Sequence, residues 1–357
     1  MLQRTLHNVT CRNVSTPATP LVSVITPVYN GGEFLRECIE SVLAQQYAHW
    51  QYTILNNCSS DDTFAIAESY ASQDSRIRVV NNGAFLPLIA NHNRAMTLID
   101  PDSRYCKPVM ADDWLYPECL EQLVHCALAQ PAVGLVCSST HTGTDRLLFE
   151  CRPSPDSPFT YLSGRDAGRM ALLDEHYFFG SPTTMLLRSD LIRKRTPFYN
   201  PDNPQADEEA CYDLLRECDF AFVNRPLSYV RMHAGSHTAA NYHLFSLASC
   251  HVLALAKYGP AYLSPAELQQ RLDARMREYY ARLALGAVEM RGAEFWEFHR
   301  RMLGLIGQPL SRVRLMGAIA VHVARKLAAP RALARSVAAR VTGLSRRLTG
   351  RAPLGPQ

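Results

Sequence analysis

The sequence contains no long apolar run. No segment approaches the roughly 20 apolar residues that a membrane-spanning helix needs, and residues 1–20 lack the apolar stretch of a secretory signal. These twenty residues are rich in Thr, Asn and Pro, which predicts a loosely ordered lead. We therefore expect neither a transmembrane segment nor a secretory signal.

The eleven cysteines never form a CxxC pair, and their number is odd. They are scattered singly through segments with strand or helix patterning. This arrangement argues against a zinc site and against a disulfide framework. It predicts buried, reduced thiols in a cytoplasmic protein.

Acidic residues are absent from the last 47 positions. Residues 311–357 include ten basic residues and no acid, whereas the rest of the chain has 27 basic and 33 acidic residues, a net charge of −6. The overall net charge of +4 therefore comes from this segment alone.

Strand and helix patterns alternate through the first 130 residues. A composition of 47% hydrophobic and 20% charged residues is typical of a globular protein with ample core. The predicted strands are 21–26, 52–55, 77–80 and 105–110, with helices between them and after the last, including 64–70 and 117–129. This alternation predicts βαβ units and an α/β fold with a parallel sheet.

Polar residues follow all four predicted strands. They are Thr26 to Asn30, Asn56 with Asn57, Asn81 with Asn82, and Asp112 with Asp113. Because ligands of open parallel sheets bind outside the carboxyl ends of the strands, we expect these clusters to converge on a ligand. No GxGxxG or GxxxxGK[ST] follows the first strand, so a glycine-rich phosphate-binding loop is missing. A divalent cation on Asp112 or Asp113 is the simplest substitute; capping of the following helix is the alternative.

Four segments, in order, resemble the signatures of family-two glycosyltransferases: VSVITPVYNGGEFLRECIESVLAQQY, YTILNNCSSDDT, NHNRAM and MADDWLYPECLEQL. The resemblance implies a single Rossmann-like glycosyltransferase-A domain with a mostly parallel central sheet, followed by a helical C-terminal extension. It also implies a nucleoside diphosphate sugar donor, Mg²⁺ or Mn²⁺ as cofactor, and transfer to a hydroxyl with inversion at the anomeric carbon.

The resemblance further implies roles for single residues. The positions that match nucleotide-contacting residues of the family are Thr26, Pro27, Tyr29, Asn56, Asn57, Asn93 and Asp112. Asp112 and Asp113 match the end of the metal motif. The chain departs from the family in three places: Met110 replaces the first acid of an Asp-x-Asp-Asp run, Asn56 and Asn57 replace aspartates, and His92 replaces an arginine.

Three consecutive acids, Asp207, Glu208 and Glu209, stand near the position of the family's catalytic carboxylate. We predict that Asp207 is the general base that removes the acceptor proton, with Glu208 and then Glu209 as the alternatives. An acidic first turn that only complements the helix dipole is the competing interpretation.

The sequence RMH after a strand-like LSYV resembles the family's late motif. The resemblance implies that Arg231 contacts the diphosphate and that His233 contacts the metal. A solvated or core histidine is the alternative. The residues GSPT at 180–183 are predicted to form an acceptor-side loop.

Beyond residue 240, residues 242–257 and 268–303 have amphipathic helical patterns and are predicted to pack on the catalytic domain. In the tail, apolar residues recur about every four positions: Leu315, Ile319, Val323 and Leu327, then Leu333, Val337, Val341, Leu344 and Leu348. Flanking arginines are typical of a helix on an anionic membrane surface. The tail has no aromatic residue to stack on bases, which argues against nucleic acid; packing on the catalytic domain is the alternative.

These patterns predict five segments: a lead (1–20), a nucleotide-sugar-binding half (21–137), an acceptor-side half (138–240), a helical extension (241–310) and a basic amphipathic tail (311–357). The predicted protein is a metal-dependent inverting glycosyltransferase of surface polysaccharide synthesis with a glycan or lipid-linked acceptor. We expect it in the cytoplasm, peripheral at the inner face of the cell membrane. A sugar nucleotidyltransferase and a non-catalytic nucleotide-sugar-binding protein are the alternatives. The sugar and the acceptor depend on loop shapes that the sequence does not specify.

Overall fold

A computed structural model of the protein describes residues 19–143, 146–149, 157–173, 178–233 and 244–328. The strands are β1 (Val22–Val28), β2 (Trp50–Asn56), β3 (Ile77–Asn81), β4 (Tyr105–Pro108), β5 (Trp114–Leu115), β6 (Val133–Thr142), β7 (Arg146–Leu148), β8 (Phe159–Leu162), β9 (Leu186–Arg188) and β10 (Asp219–Tyr229). The helices are α1 (Gly32–Leu43), α2 (Thr63–Ala71), α3 (Leu88–Met96), α4 (Cys119–Ala129), α5 (Gly164–Leu173), α6 (Ser189–Arg193), α7 (Ala206–Leu214), α8 (Ser246–Tyr262), α9 (Pro265–Val288), α10 (Ala293–Leu305) and α11 (Arg312–Ala328).

The ten strands of the described residues form one sheet. Its order is β3-β2-β1-β4-β9-β6-β10-β5, with β7 paired to β6 and β8 paired to β10. The β3-β2-β1-β4 part is parallel, as predicted, and β6 pairs with β10 in parallel. The remaining pairs are antiparallel, so the sheet is mixed. The α/β class with a central sheet and C-terminal helices is confirmed.

The first strand shows why this part of the chain folds as predicted. Every residue of β1, VSVITPV, is buried, as is typical of a parallel strand covered on both faces. The strand extends two residues beyond the predicted end at Thr26. Its carboxyl end therefore lies at Val28, within the predicted cluster Thr26 to Asn30.

The chain divides into two compact units. The first takes Met1–Ser163, His176–Pro201 and Glu217–Arg231, and contains the sheet with α1 to α4 and α6. The second takes Gly164–Glu175, Asp202–Arg216 and Met232–Gln357, and contains α5 and α7 to α11. Each unit combines segments that are distant in sequence, so the five predicted segments stay predictions.

Two helices cover the range 268–303, for which an amphipathic helical pattern was predicted. Helix α9 ends at Val288 and α10 starts at Ala293. Met290 between them has a φ of +52°, a left-handed conformation that a helix cannot continue through. Helix α8 starts at Ser246 rather than at residue 242, and residues 234–243 lie outside the described ranges. The second unit has its own core, which includes Val252, Tyr279, Leu283, Phe295 and Met302.

Helix α11 corrects the predicted stripe of the tail. Leu315 packs against the core of the second unit, but Val323 and Leu327 are 43% and 65% exposed. A spacing of four residues advances by about 40° more than a full turn, so three such steps rotate the stripe away from the core. The predicted continuation from Leu333 to Leu348 lies outside the described residues. None of the described helices combines the length and the apolar composition that crossing a membrane requires.

Nine cysteines lie in the described ranges, all as free thiols, and only Cys58 is not fully buried. Burial raises the pKa of the Cys38 thiol to about 12, and that of Cys218 likewise to about 12. These thiols are therefore neutral at physiological pH. The prediction of buried, reduced cysteines is confirmed for this part of the chain.

Candidate functional site

The loops that follow β1 and β2 are tied together by side chains. The Asn30 amide donates to Ser59 Oγ (2.9 Å), and Asn30 Oδ1 accepts from the Ser60 amide (2.8 Å). The Gly32 amide donates to Asp61 Oδ2 (3.0 Å). A Cβ on Gly32 would lie 2.0 Å from a carboxylate oxygen of Asp62, so a larger residue here would displace the Asp62 side chain.

Asparagine side chains connect the ends of β2 and β3. Asn56 Nδ2 donates to Asn81 Oδ1 (2.7 Å). Asn57 Nδ2 donates to the Leu86 carbonyl oxygen (2.8 Å), while Asn57 Oδ1 accepts from the Leu86 amide (2.9 Å) and from Asn82 Nδ2 (2.8 Å). Asn56 and Asn57 are each only 2% exposed. The two amides predicted to contact the nucleotide thus also hold the loop after β3.

The residues predicted at the end of β1 differ in exposure. Thr26 is buried, and its Oγ1 lies 2.8 Å from Tyr52 Oη. Pro27 is a buried residue of β1, whereas Tyr29 is 50% exposed. The Tyr29 ring meets Phe85 edge to face at 4.9 Å between centroids. Our sequence analysis missed Phe85; a lone aromatic in the short loop GAFLP after a predicted strand was the available signal.

Asn93 on α3 makes a two-point contact with the backbone of Tyr199. Its Nδ2 donates to the Tyr199 carbonyl oxygen (2.8 Å), and its Oδ1 accepts from the Tyr199 amide (2.7 Å). His92 lies beside the same residue, with ring centroids 6.2 Å apart. The helix predicted to face the nucleotide therefore fixes a segment 106 residues further along the chain.

Asp113 is a buried carboxylate just beyond β4. Its Oδ2 accepts from Thr183 Oγ1 (2.5 Å) and its Oδ1 from the Arg231 amide (2.9 Å), and the side chain is 4% exposed. Burial, followed by the charge of the neighbouring Asp112, raises the pKa of Asp113 to about 7. Asp112 itself is half-buried. The pair therefore concentrates negative charge that a cation would stabilise.

A fully buried lysine lies behind these carboxylates. Lys107 on β4 donates to the carbonyl oxygens of Thr183 and of Met185, the latter at 3.1 Å. Thr183 belongs to a 3₁₀ turn, Pro182–Thr184, and its Oγ1 also accepts from the Met110 amide (3.0 Å). Burial lowers the pKa of Lys107. A lysine inside an apolar strand was the sequence signal that we missed. Thr183 of the predicted acceptor-side loop thus contacts Asp113 of the carboxylate pair.

Arg231 is brought to the same place, as its predicted role requires. Its Nε donates to the Asp112 carbonyl oxygen (3.0 Å), and its guanidinium pairs with the Glu37 carboxylate. The guanidinium carbon lies 4.5 Å from the centroid of the Phe34 ring. These contacts fix a positive charge next to the carboxylate pair.

The three acids of the second unit occupy the first turn of α7. Glu209 is held by Asn203 Nδ2 (2.7 Å), Lys257 Nζ (2.5 Å) and Tyr258 Oη (3.2 Å). A carboxylate with three such donors stabilises the fold and is not poised to accept a proton.

Asp207 and Glu208 are in different environments. Glu208 is buried and accepts from Tyr212 Oη (3.1 Å); burial and then the charge of Asp207 raise its pKa to about 7. Asp207 is half-buried and accepts hydrogen bonds from its own amide and that of Glu208; burial raises its pKa. Among the described residues it has no side-chain partner. Burial thus raises the pKa of both acids, which makes each a stronger base than an ordinary carboxylate.

The donor set for a metal is small. Within the ranges that the structure describes, no three His, Cys, Asp or Glu side chains form a cluster that could hold a metal alone. His233 belongs to the second unit. Two adjacent carboxylates nevertheless fit Mg²⁺ or Mn²⁺, because such ions are commonly held by one or two carboxylates, with substrate phosphates and water completing the shell. The raised pKa of Asp113 fits the same role.

Comparison with known protein families gives a match to one family model. Residues 23–196 match the family model described as "Glycosyl transferase family 2". The "Uncharacterized protein MT1568" of Mycobacterium tuberculosis is 26% identical over 229 residues, 62% of this chain and 70% of the relative. The "Putative teichuronic acid biosynthesis glycosyltransferase TuaG" of Bacillus subtilis is 38% identical over 96 residues. That match spans 25% of this chain and only 38% of TuaG.

Among solved structures, S. aureus TarS 1–349 in complex with UDP-GlcNAc matches with a TM-score of 0.60, 14% identity and 80% coverage of each chain. At this level of identity the match shows a shared fold.

Proposed function

Because residues 23–196 belong to glycosyl transferase family 2 and the chain has the glycosyltransferase-A fold, we propose that the protein is an inverting glycosyltransferase. It transfers a sugar from a nucleoside diphosphate sugar to a hydroxyl of a glycan or lipid-linked acceptor. The observation that carries this proposal is the Asp112–Asp113 pair at the end of β4, held by Thr183 and Arg231.

The donor binds along the carboxyl ends of β1 to β4. Thr26, Pro27 and Tyr29 line the base and ribose, together with Asn56, Asn57 and Asn93. Tyr29 supplies exposed aromatic surface, and the buried amides keep the loops in place. Arg231 supplies positive charge for the diphosphate.

In this proposal Asp112 and Asp113 would hold Mg²⁺ or Mn²⁺. When bound, this ion neutralises the negative charge that develops on the leaving nucleoside diphosphate. Without the ion, buried hydrogen bonds from Thr183 and the Arg231 amide orient the Asp113 oxygens.

Asp207 accepts the proton of the acceptor hydroxyl, and Glu208 is the alternative base. Burial raises the pKa of both groups, which strengthens them as bases near neutral pH. Glu209 anchors the helix through its three donors.

A panel of nucleoside diphosphate sugars tests the proposed function. UDP-glucose, UDP-N-acetylglucosamine and GDP-mannose are each added with and without Mn²⁺, and the thermal midpoint is measured. A ligand at about 100 times its Kd adds about 2.7 kcal/mol of stability, so at least one sugar should raise the midpoint clearly, and only with Mn²⁺. No shift with any of them would contradict the donor class. Binding without slow, Mn²⁺-dependent hydrolysis would indicate a non-catalytic binding protein.

The acceptor belongs to polysaccharide synthesis at a membrane surface in this proposal. The name of TuaG places that relative in teichuronic acid biosynthesis. In this chain the outward face of α11 has an apolar stripe with spacings of three and four residues: Val313, Met316, Ala320, Val323 and Leu327. The four larger side chains are 43–84% exposed. Between Arg314 and Arg325 this helix has no charged residue.

Basic residues lie at both ends of this stripe, with Arg312 and Arg314 on either side of Val313 and with Arg325 and Lys326 just before Leu327. An apolar face between basic residues fits anionic lipid, because each Lys or Arg near such a surface contributes about 1 kcal/mol. Pairing with a second copy of the same stripe would bring like charges together. The protein is therefore peripheral at the inner face of the cell membrane in this proposal.

Met316→Glu combined with Leu327→Glu should release the protein from anionic vesicles in a flotation assay. Both side chains are more than 60% exposed, so the fold should tolerate the changes. Leu305→Glu, at an exposed position of α10, is the matched control and should leave flotation intact. Equal flotation of the double variant and the control would remove the membrane from the proposal.

A further inference from the structure

Two half-exposed aromatic rings meet at the carboxyl ends of β1 and β3. Tyr29 is 50% exposed and Phe85 is 56% exposed, and their rings pack edge to face at an interplanar angle of 64°. Tyr29 matches a nucleotide-contacting position of the family, so the ring of Phe85 adds aromatic surface beside a position where a nucleotide is expected. An aromatic surface of this kind suits a planar ligand, which can stack on it.

Phe85 does not owe its place to burial, because most of its ring is in water. The next residue, Leu86, is held through both its amide and its carbonyl by the side chain of Asn57, at 2.9 and 2.8 Å. This two-point contact resembles one rung of a β-ladder and fixes the backbone on which Phe85 stands. Asn82 joins the same network, because its Nδ2 donates both to Asn57 Oδ1 and to Asn91 Oδ1 (2.9 Å).

The chemistry of this contact requires an amide at position 57. The Leu86 amide needs an acceptor, and the Leu86 carbonyl needs a donor 2.8 Å away. An aspartate would supply two acceptors and would set a negative oxygen against the carbonyl. Both acceptor sites of Asn57 Oδ1 are already used, by Leu86 and Asn82, and the side chain is 2% exposed. The protein itself therefore uses most of the hydrogen-bonding capacity of Asn57.

We propose that Phe85 extends the surface of Tyr29 into a wall, the Tyr29–Phe85 pair, against which the base of the donor nucleotide stacks, and that Asn57 is the positioning residue that fixes Phe85. This inference rests on the proposed function, because it presumes a nucleotide ligand. It also predicts how the base is selected. Stacking tolerates every base, since each has a π-face, so this wall gives affinity without choosing among bases.

Phe85→Ala tests the wall. Binding of UDP, GDP, ADP and CDP in the presence of Mn²⁺ is measured by titration calorimetry, with inorganic pyrophosphate as a ligand that has no base. The affinity for each nucleotide that the wild type binds should fall about 10-fold or more, the size expected for one lost stacking contact, and pyrophosphate affinity should not change. Phe64→Ala, at a 40% exposed phenylalanine of α2, is the matched control and should bind like the wild type.

Asn57→Asp tests the positioning role. The variant should lose affinity for these nucleotides by a similar factor, and in a Phe85→Ala background it should add little further loss, because both changes remove the same wall. A loss that simply adds to that of Phe85→Ala would indicate a general structural role and overturn the inference. A changed order of preference among the bases would show that residue 57 reads the base edge, and would overturn it too.

The outcomes separate this inference from the function on which it rests. If the wild type binds no nucleoside diphosphate, the proposed function fails and the inference fails with it. If the wild type binds and Phe85→Ala binds equally well, only the wall is refuted.

Discussion

Replacing Asp113 by Asn should abolish Mn²⁺-dependent donor binding and lower turnover by about 10²-fold or more, the usual range when one group that stabilises developing charge is removed. The substitution keeps the size of the side chain and an oxygen for the Arg231 amide. It removes the charge that, together with Asp112, would hold the cation.

The same substitution should leave the thermal midpoint unchanged or slightly higher at pH 7.5 without metal. Burial raises the pKa of Asp113 to about 7 in the folded protein, from an ordinary value of 3.8. A carboxyl with a raised pKa favours the protonated folded state, so its contribution to stability falls as the pH rises from about 4 to 7. Asn mimics the neutral form and avoids this loss.

Asp102→Asn provides the matched control for Asp113→Asn, because Asp102 is exposed in the loop before β4. It should bind donor with Mn²⁺ as the wild type does. Calorimetric titration of donor with and without Mn²⁺, followed by a turnover assay, gives both measurements. Turnover of Asp113→Asn at the wild-type rate would remove the carboxylate pair from the mechanism.

Asp207→Asn should lower turnover by about 10²-fold or more while donor affinity stays near that of the wild type, because a general base acts only on the acceptor proton. A base is active when deprotonated, so wild-type turnover should increase with pH through the pKa of the base. Burial raises that pKa for Asp207, which moves the increase above the usual range of an aspartate. The residual activity of the variant should lack this increase.

Two companion variants make the Asp207 experiment decisive. Asp213→Asn, on the same helix, is the control and should retain activity. Glu208→Gln distinguishes neighbours: if it loses turnover and Asp207→Asn does not, the base is Glu208, whose raised pKa is about 7. Full activity of both variants would exclude the acid cluster from catalysis.

The parallel part of the sheet was predictable because buried parallel strands appear in the sequence as short apolar runs. β1 is apolar at nearly every position, and the helices after it repeat with a period near 3.6. The antiparallel pairs were not predicted. Strand β5 has only two residues, and its partner β10 comes more than 100 residues later, so neither pattern nor turn chemistry connects them.

At the candidate site, the sequence predicted which polar clusters follow the strands but not how their capacity is used. The two-point contact between Asn57 and Leu86 depends on the conformation of the loop backbone. The pairing of Asn93 with Tyr199 depends on a segment that is distant in sequence. Likewise, the sequence alone does not explain a lysine within an apolar strand; its two carbonyl partners, which the structure shows, do. The local pattern of α11 was misjudged for a different reason, since a four-residue repeat rotates away from its starting face.

The buried Lys107 couples cation binding at Asp113 to the order of the Pro182–Thr184 turn. Lys107 donates hydrogen bonds to the carbonyl oxygens of Thr183 and Met185, and the hydroxyl of Thr183 in turn orients Asp113. A cation that favours this orientation must also favour the ordered turn, and linkage makes the effect reciprocal and equal in free energy. A ligand that orders the turn would therefore raise the affinity for the cation without contacting the cation.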